Sequence, residues 1–221
     1  MSAESGSVVV AMDGPSGSGK SSTARGVAAR LGLRYLDTGA QFRAMTVWML
    51  RHHVDLSDPE AVAAAADRPE LASGTDPRHP TICVDGEDVA ESIRSDETTR
   101  SVSAVASVPA VRKRLLELQR SIIGAGGIVV EGRDIGSVVA PDADVKIYLT
   151  ADSAARAARR TAEQRGADVA ATEADLQRRD RIDSTRAAAP LTIPDDAVHI
   201  DTTPYTLAEV IDQVVALVRE S

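Results

Sequence analysis

Three features of this sequence predict an α/β doubly wound fold on a five-stranded parallel sheet. Short apolar runs alternate with longer amphipathic stretches over most of the chain. Three of the five strand candidates are unbroken runs rich in β-branched residues, as strands buried on both faces require. The first run leads through a glycine-rich loop into the first helical stretch, the strand–loop–helix opening of such a sheet.

In chain order, the strand candidate SVVVAMD (7–13) precedes a helix over 20–31, and RYLD (34–37) precedes a helix over 40–53 that Thr38 can cap. Residues 54–95 break the rhythm with an alanine-rich stretch, ASGTDPRHP and TICVDGEDV, in which Asp85-Gly86 is a hairpin turn. We read this span as an inserted lobe in a single domain (1–221) whose core is about 1–53 and 96–221. Helices follow over 96–106 and 109–123, the second with Pro109 at its first position and Ser107 as a candidate cap. GIVVE (127–131) and VKIYLT (145–150) read as strands, 153–165 and 173–187 as helices, and AVHID (197–201) as the fifth strand. The last helix, 206–219, carries a capping box in Thr206 and Glu209.

Composition narrows the function. The polar start MSAESGS and the short run VVVAM (8–12) provide neither a membrane span nor a signal segment, so no membrane partner is expected. One cysteine, Cys83, excludes an internal disulfide and suits a reducing cytoplasm; its run TICV reads as a buried strand. A net charge of −8 argues against binding nucleic acid or anionic lipid, and 2% aromatic content leaves no base-stacking platform. The four histidines lack metal-ligand spacing.

The segment GPSGSGKSS (14–22) fits G-x-x-x-x-G-K-[ST]. Gly14, Gly17 and Gly19, with Pro15, Ser16 and Ser18 between them, let the backbone wrap a phosphate chain with its amides pointing inward. Lys20 reaches the β- and γ-phosphates, the Ser21 hydroxyl can ligate Mg²⁺, and Ser22 continues the helix N-terminus. A nucleoside triphosphate is therefore expected. A GTPase would need N-K-x-D, and no lysine follows an asparagine. A motor ATPase usually has a strand ending in Asp. Here the nearest strand, IVVE, runs into Gly132-Arg133-Asp134, and an arginine past a sheet's carboxyl edge favours an anionic second substrate.

Two further stretches are candidates for that site. YLDTGAQFRA (35–44) offers a cap hydroxyl, a helix N-terminus and Arg43, which together suit a monophosphate or merely a capped helix with an exposed arginine. In RRDRIDSTRAAAPL (178–191), Arg179, Asp183 and Arg186 share a helix face, which fits an anion site or a solvated salt-bridged surface equally well.

GPSGSGKSS, YLDTGAQFR, EGRDIGSVVAPDADVKIYL and RRDRIDSTRAAAPL, in this order and at these separations, resemble bacterial cytidylate kinases over nearly the whole chain. The resemblance implies a P-loop nucleoside monophosphate kinase in which 54–95 is the monophosphate-binding lobe and 161–175 a short lid. It implies that Gly14 to Ser22 hold ATP, with Arg156 and Arg160 over the adenine or its phosphates. Arg43, Arg133 and Arg186 would surround the CMP phosphate, with Thr38 and Phe42 beside them. Ser103, Arg112 and Asp134 would read the cytosine edge, while Arg179 and Asp183 approach the ribose and phosphate. Lys20, Arg133, Arg160 and Arg186 would carry the transfer of phosphate from ATP to CMP or dCMP. The chain departs from the family at Phe42, commonly Tyr, and at Ala189, commonly Ser. Other small P-loop kinases of UMP/CMP, adenylate or shikimate type remain the alternative, with a non-catalytic ATP-binding module behind them. A monomer is the working expectation.

Overall fold

Strand β1 (Val9–Asp13) runs through the middle of a computed structural model that describes residues 7–163, 168–185 and 193–221. The chain continues through α1 (Lys20–Leu31), β2 (Arg34–Asp37), α2 (Thr38–Arg51), α3 (Pro59–Ala65), β3 (Leu71–Ser73), β4 (Ile82–Val84) and β5 (Glu87–Asp88). After these come α4 (Asp96–Ser107), α5 (Pro109–Ile123), β6 (Ile128–Gly132), β7 (Val145–Thr150), α6 (Ser153–Glu163), α7 (Val169–Thr185), β8 (Val198–Asp201) and α8 (Leu207–Glu220).

The main sheet has the expected five strands, all parallel, in the order β2-β6-β1-β7-β8. Successive residues of a strand face opposite sides, so an unbroken apolar run needs cover on both. Val10 and Met12 pack into one layer with Val27 of α1 and Val210 and Val214 of α8. Ala11 points the other way, among Leu36, Val130 and Ile123 of α5. Each fully buried side chain of this size stabilises the fold by about 1.5–3 kcal/mol. The helical layers on the two faces are thus a consequence of the strand pattern. Among the described residues no helix is long and apolar enough to cross a membrane.

The segment 54–95 folds around a three-stranded antiparallel sheet, β3-β4-β5, with α3 beside it. Its β4–β5 turn is the expected Asp85-Gly86 hairpin, with positive φ at both residues (51° and 80°). Cys83 lies in β4 but is only half-buried. The apolar side of this sheet does not stand alone. Leu71, Ile82 and Val84 share one core with Met45 and Trp48 of α2, Val105 of α4 and Leu115 of α5.

The local expectations need correction at several points. The cap of α2 is Asp37, whose carboxylate accepts the Ala40 amide at 2.9 Å, while Thr38 is the first helical residue and its hydroxyl donates to the Glu131 carbonyl. Ser107 ends α4 and does not cap α5, whose cap position is Val108 with no side-chain bond. Helix α7 begins at Val169 rather than 173, so much of the span expected as a lid is helical, and residues 164–167 within it lie outside the described residues. Arg186 and Ala189 also lie outside them.

At α8 the capping box is complete: Thr206 accepts from the Glu209 amide, and Glu209 accepts from the Thr206 amide at 2.8 Å. Thr206→Ala removes one half of this exchange, so we expect a loss of about 1 kcal/mol. In a domain of this size that is a fall of about 2–4 °C in Tm by calorimetry, with turnover unchanged because the exchanged bonds join Thr206 and Glu209 to each other and not to the loop after β1.

Candidate active site

The glycine-rich loop joins β1 to α1 at the sheet's carboxyl edge. Gly14 has φ 147°, and a Cβ there would stand 2.1 Å from the Leu149 carbonyl oxygen of β7, so only glycine fits the first bend. Lys20, the first residue of α1, is buried and folds back to donate to the Pro15 carbonyl at 2.9 Å. Ser21 donates from its hydroxyl to Glu131 Oε2 at 2.9 Å. The loop is held from outside by α6. Arg156 donates to the Ser16 carbonyl at 3.1 Å and pairs with Asp180 of α7, and Arg159 donates to the Ser18 carbonyl and to Thr202.

A cavity of about 440 Å³ opens beside this loop. Ser16, Gly17, Gly19, Lys20, Ser21 and Ser22 form one side of it. Thr38, Phe42 and Arg43 of α2, Ser103 of α4, Arg112 of α5, and Arg133 and Asp134 after β6 form the other, and Arg160 also lines it. Two stretches about ninety residues apart in sequence thus meet because β2 and β6 are paired neighbours, with Asp37 opposite Glu131. Arg133 donates to the Gly14 carbonyl at 2.8 Å, tying the acceptor side to the phosphate loop. Asp134 is ion-paired with Arg112, both nearly buried. The Arg112 guanidinium lies 5.4 Å from the centre of the Phe42 ring, a cation–π contact that needs only the ring and so survives without the tyrosine hydroxyl.

Electrostatics make the cavity hungry for an anion. Burial, then the positive charges of Arg160, Arg133 and Arg94, pull Arg43 down to about 10, with Asp37 opposing. Arg43 itself is aimed by the Ile93 carbonyl and the Thr99 hydroxyl, at 3.3 and 3.2 Å. Burial and then Arg133 push Lys20 down, while Glu131, Asp13 and Asp37 oppose. Glu131, 3% exposed, is pushed up by burial and by Asp37, against the pull of Lys20 and the hydroxyls of Tyr35 and Ser21. The Tyr35 hydroxyl donates to Glu131 Oε1 at 2.5 Å.

The structure gathers most of the expected residues around one cavity, but not all. Gly14, Pro15 and Ser18 belong to the loop without lining the cavity, and Ser18 is fully buried. Arg156, expected over the donor nucleotide, is 8% exposed, does not line the cavity, and donates to the Ser16 carbonyl of the loop. Arg179 and Asp183 lie on α7, and Arg186 lies beyond the described residues. Sequence reasoning missed Arg25 and Arg94 on the cavity wall, Arg159 behind the loop and Tyr35 against Glu131. Only Tyr35 carried a signal, a polar tip beside the apolar Leu36 near the carboxyl end of a strand. Asp13, read merely as a strand end, is 2% exposed and accepts the Ile135 and Gly136 amides, each at 2.8 Å.

The family model described as cytidylate kinase matches residues 10–220. The cytidylate kinase of Streptomyces avermitilis is 59% identical over 215 residues, covering 96% of this chain and 93% of that protein. That of Streptomyces coelicolor is 60% identical with the same coverage. That of Mycolicibacterium paratuberculosis is 50% identical over 221 residues, 98% of this chain and 97% of its own. Among solved structures, an uncharacterized protein from Eubacterium ventriosum superposes with a TM-score of 0.54 at 12% identity, over 97% of this chain and 99% of that one, a likeness of fold alone.

Burial raises Asp13 from 3.8 to about 6, although the two amides and Lys20 oppose the shift. The carboxyl therefore binds its proton more tightly in the folded state, so its stabilising contribution is complete below pH ~4 and is lost as pH rises through ~6. The loss is on the order of 3 kcal/mol. In guanidinium titrations from pH 4 to pH 7, wild-type stability relative to Asp13→Asn should fall by about that amount. A constant difference across this range would show that Asp13 titrates normally.

Proposed function

We propose that this chain, which belongs to the cytidylate kinase family, transfers the terminal phosphoryl group of ATP to CMP and dCMP, giving ADP with CDP or dCDP. One observation carries the reading: the phosphate loop and a cluster of arginines line the same cavity, next to the Arg112–Asp134 pair. A donor triphosphate on the loop and an acceptor monophosphate among the arginines would meet end to end.

The nucleophile is an oxygen of the acceptor phosphate, already anionic at neutral pH, so no general base is needed. It forms a bond to the γ-phosphorus as the bond to the β–γ bridging oxygen breaks, and ADP leaves. What the protein contributes is position and charge. Lys20 follows the migrating group from the loop side, while Arg43, Arg133 and Arg160 neutralise it from the acceptor side. Arg179 and Asp183 at the ribose, and Arg186 at the phosphate, complete the proposal as the family resemblance implies. Asp134 accepts the exocyclic amine of cytosine, and Arg112 and Ser103 complete that edge. Uracil puts an oxygen where the amine stands, facing the carboxylate lone pairs, and leaves buried polar groups unmatched.

The Ser21 hydroxyl beside Glu131, with Asp37 near, is an all-oxygen donor set that suits Mg²⁺. Among the described residues no three acidic, His or Cys side chains form a metal cage, and a cation shared with phosphate oxygens needs none. When bound, the ion would supply positive charge to the triphosphate. Ser21 would hold it directly, and Glu131 keeps the hydroxyl oriented. The single thiol suits a reducing compartment, so the reading includes a cytoplasmic enzyme working on soluble nucleotides as a monomer.

A coupled ADP-release assay offering CMP, dCMP, UMP, AMP and shikimate tests this reading. CMP and dCMP should turn over fastest, and UMP or AMP turnover matching CMP would refute base recognition. Asp134→Ala should lower kcat/KM for CMP by about 10²-fold while ATP affinity changes less than about threefold. An equal loss of ATP affinity would place Asp134 elsewhere in the mechanism.

A further inference from the structure

The segment after β6 has an unusual division of labour. Ile135–Val139 is a single π-helical turn, and Asp134 occupies its cap position with φ −145° and ψ 30°. A carboxylate there ordinarily leans forward and accepts an amide of its own turn. Asp134 makes no such capping bond. Its Oδ2 is paired instead with Arg112, on the cavity wall.

The cap is supplied from the next strand. Asp13 ends β1, which lies beside β6 with Asp13 opposite Gly132. Its Oδ1 accepts the Ile135 amide and its Oδ2 the Gly136 amide, both at 2.8 Å. The Gly136 amide is the second of the turn, one that a capping residue would normally take for itself. A fold that needed only a capped turn could have used Asp134 and left an apolar residue at the buried position 13. Keeping a second carboxylate there, nearly sealed from solvent, is the more costly arrangement.

We infer that Asp13 is a positioning residue for base recognition: by capping the turn across the strand pair it frees the Asp134 carboxylate to face Arg112 and the acceptor base. Without it the Ile135 and Gly136 amides are left unsatisfied in a buried place, and Asp134 stands at the cap position from which a carboxylate can take them. Asp134 then turns inward, Arg112 loses its partner, and the preference for cytosine over uracil declines. Asp13 immediately precedes Gly14, the first residue of the phosphate loop, so the loop and the base-reading segment are registered against each other by Asp13 and by the Arg133–Gly14 bond.

The inference rests on the reading that Asp134 faces the acceptor base, and the experiment separates the two. The CMP-over-UMP ratio of kcat/KM is measured for wild type, Asp134→Asn, Asp13→Asn and Asp13→Ser, with ATP affinity and thermal melts alongside. Both Asp13 variants keep one acceptor oxygen, which leaves one amide to recruit Asp134. The expected result is a fall of about tenfold or more in the ratio for Asp134→Asn and for any Asp13 variant that folds. In the Asp13 variants it should arise from a raised KM for CMP, with KM for ATP within about threefold of wild type. If Asp134→Asn leaves the ratio unchanged, the base reading fails and this inference with it. If Asp134→Asn lowers the ratio and the folded Asp13 variants do not, only the inference fails. Should neither Asp13 variant fold, the residue serves the fold itself and its positioning role is overturned.

Discussion

The register of three adjacent parallel strands governs this molecule. β2, β6 and β1 end together at one edge, with Asp37 opposite Glu131 and Asp13 opposite Gly132. Parallel strands deliver their carboxyl ends to the same side, and the residues that follow each strand must therefore share one crevice. The phosphate loop, the start of α2 and the Gly132–Asp134 segment are those continuations. A register shift would turn Val10 and Met12 out of one buried layer and Ala11 out of the other, so the apolar core enforces the alignment of the polar residues.

What the alignment produces is a dense set of buried charges. Asp13, Lys20, Glu131 and Asp134 are all nearly inaccessible to solvent. Each is opposed by another charge or by oriented hydrogen bonds, and at three of them burial still prevails: Lys20 is held below its ordinary value and Asp13 and Glu131 above theirs. Such a cluster is costly for folding, but it is organised before any ligand arrives. For phosphoryl transfer, in which the protein has little covalent chemistry to perform, that prior organisation is the main contribution it can make.

The wall opposite the glycine-rich loop is built differently from the loop. The loop is backbone, shaped by glycines and braced from behind by Arg156 and Arg159. The wall is side chains carried by α2, α4 and α5, and these helices share their core with the small sheet β3-β4-β5. Packing that sheet against these helices holds Arg43, Ser103 and Arg112 around the cavity, which Ser73 and Ile82 of the sheet also line. The inserted segment also touches the donor side, where Arg25 of α1 donates to the Pro77 carbonyl at 3.1 Å.

The sheet, its five strands and the phosphate loop were legible in the sequence because each rests on local rules: continuous apolar runs, glycine at a forbidden φ, a lysine and serine at fixed offsets. Arg133 and Asp134 were legible for a related reason, since polar residues just past a buried strand sit at the carboxyl edge. Thr38 and Ser107 show where local rules stop. Asp37 and Thr38 are equally good caps by composition, and only the Glu131 carbonyl one strand away decides that Thr38 turns inward. Arg156 also bonds the loop backbone at the Ser16 carbonyl, a contact that depends on how α6 packs against the loop and that no local rule reveals. The sequence by itself determined the elements and the chemistry of the loop, through interactions spanning a few residues. Only the tertiary structure decided which charges share the cavity and which carboxylate caps the turn at Ile135, because those choices depend on distances between strands that lie more than a hundred residues apart in the chain.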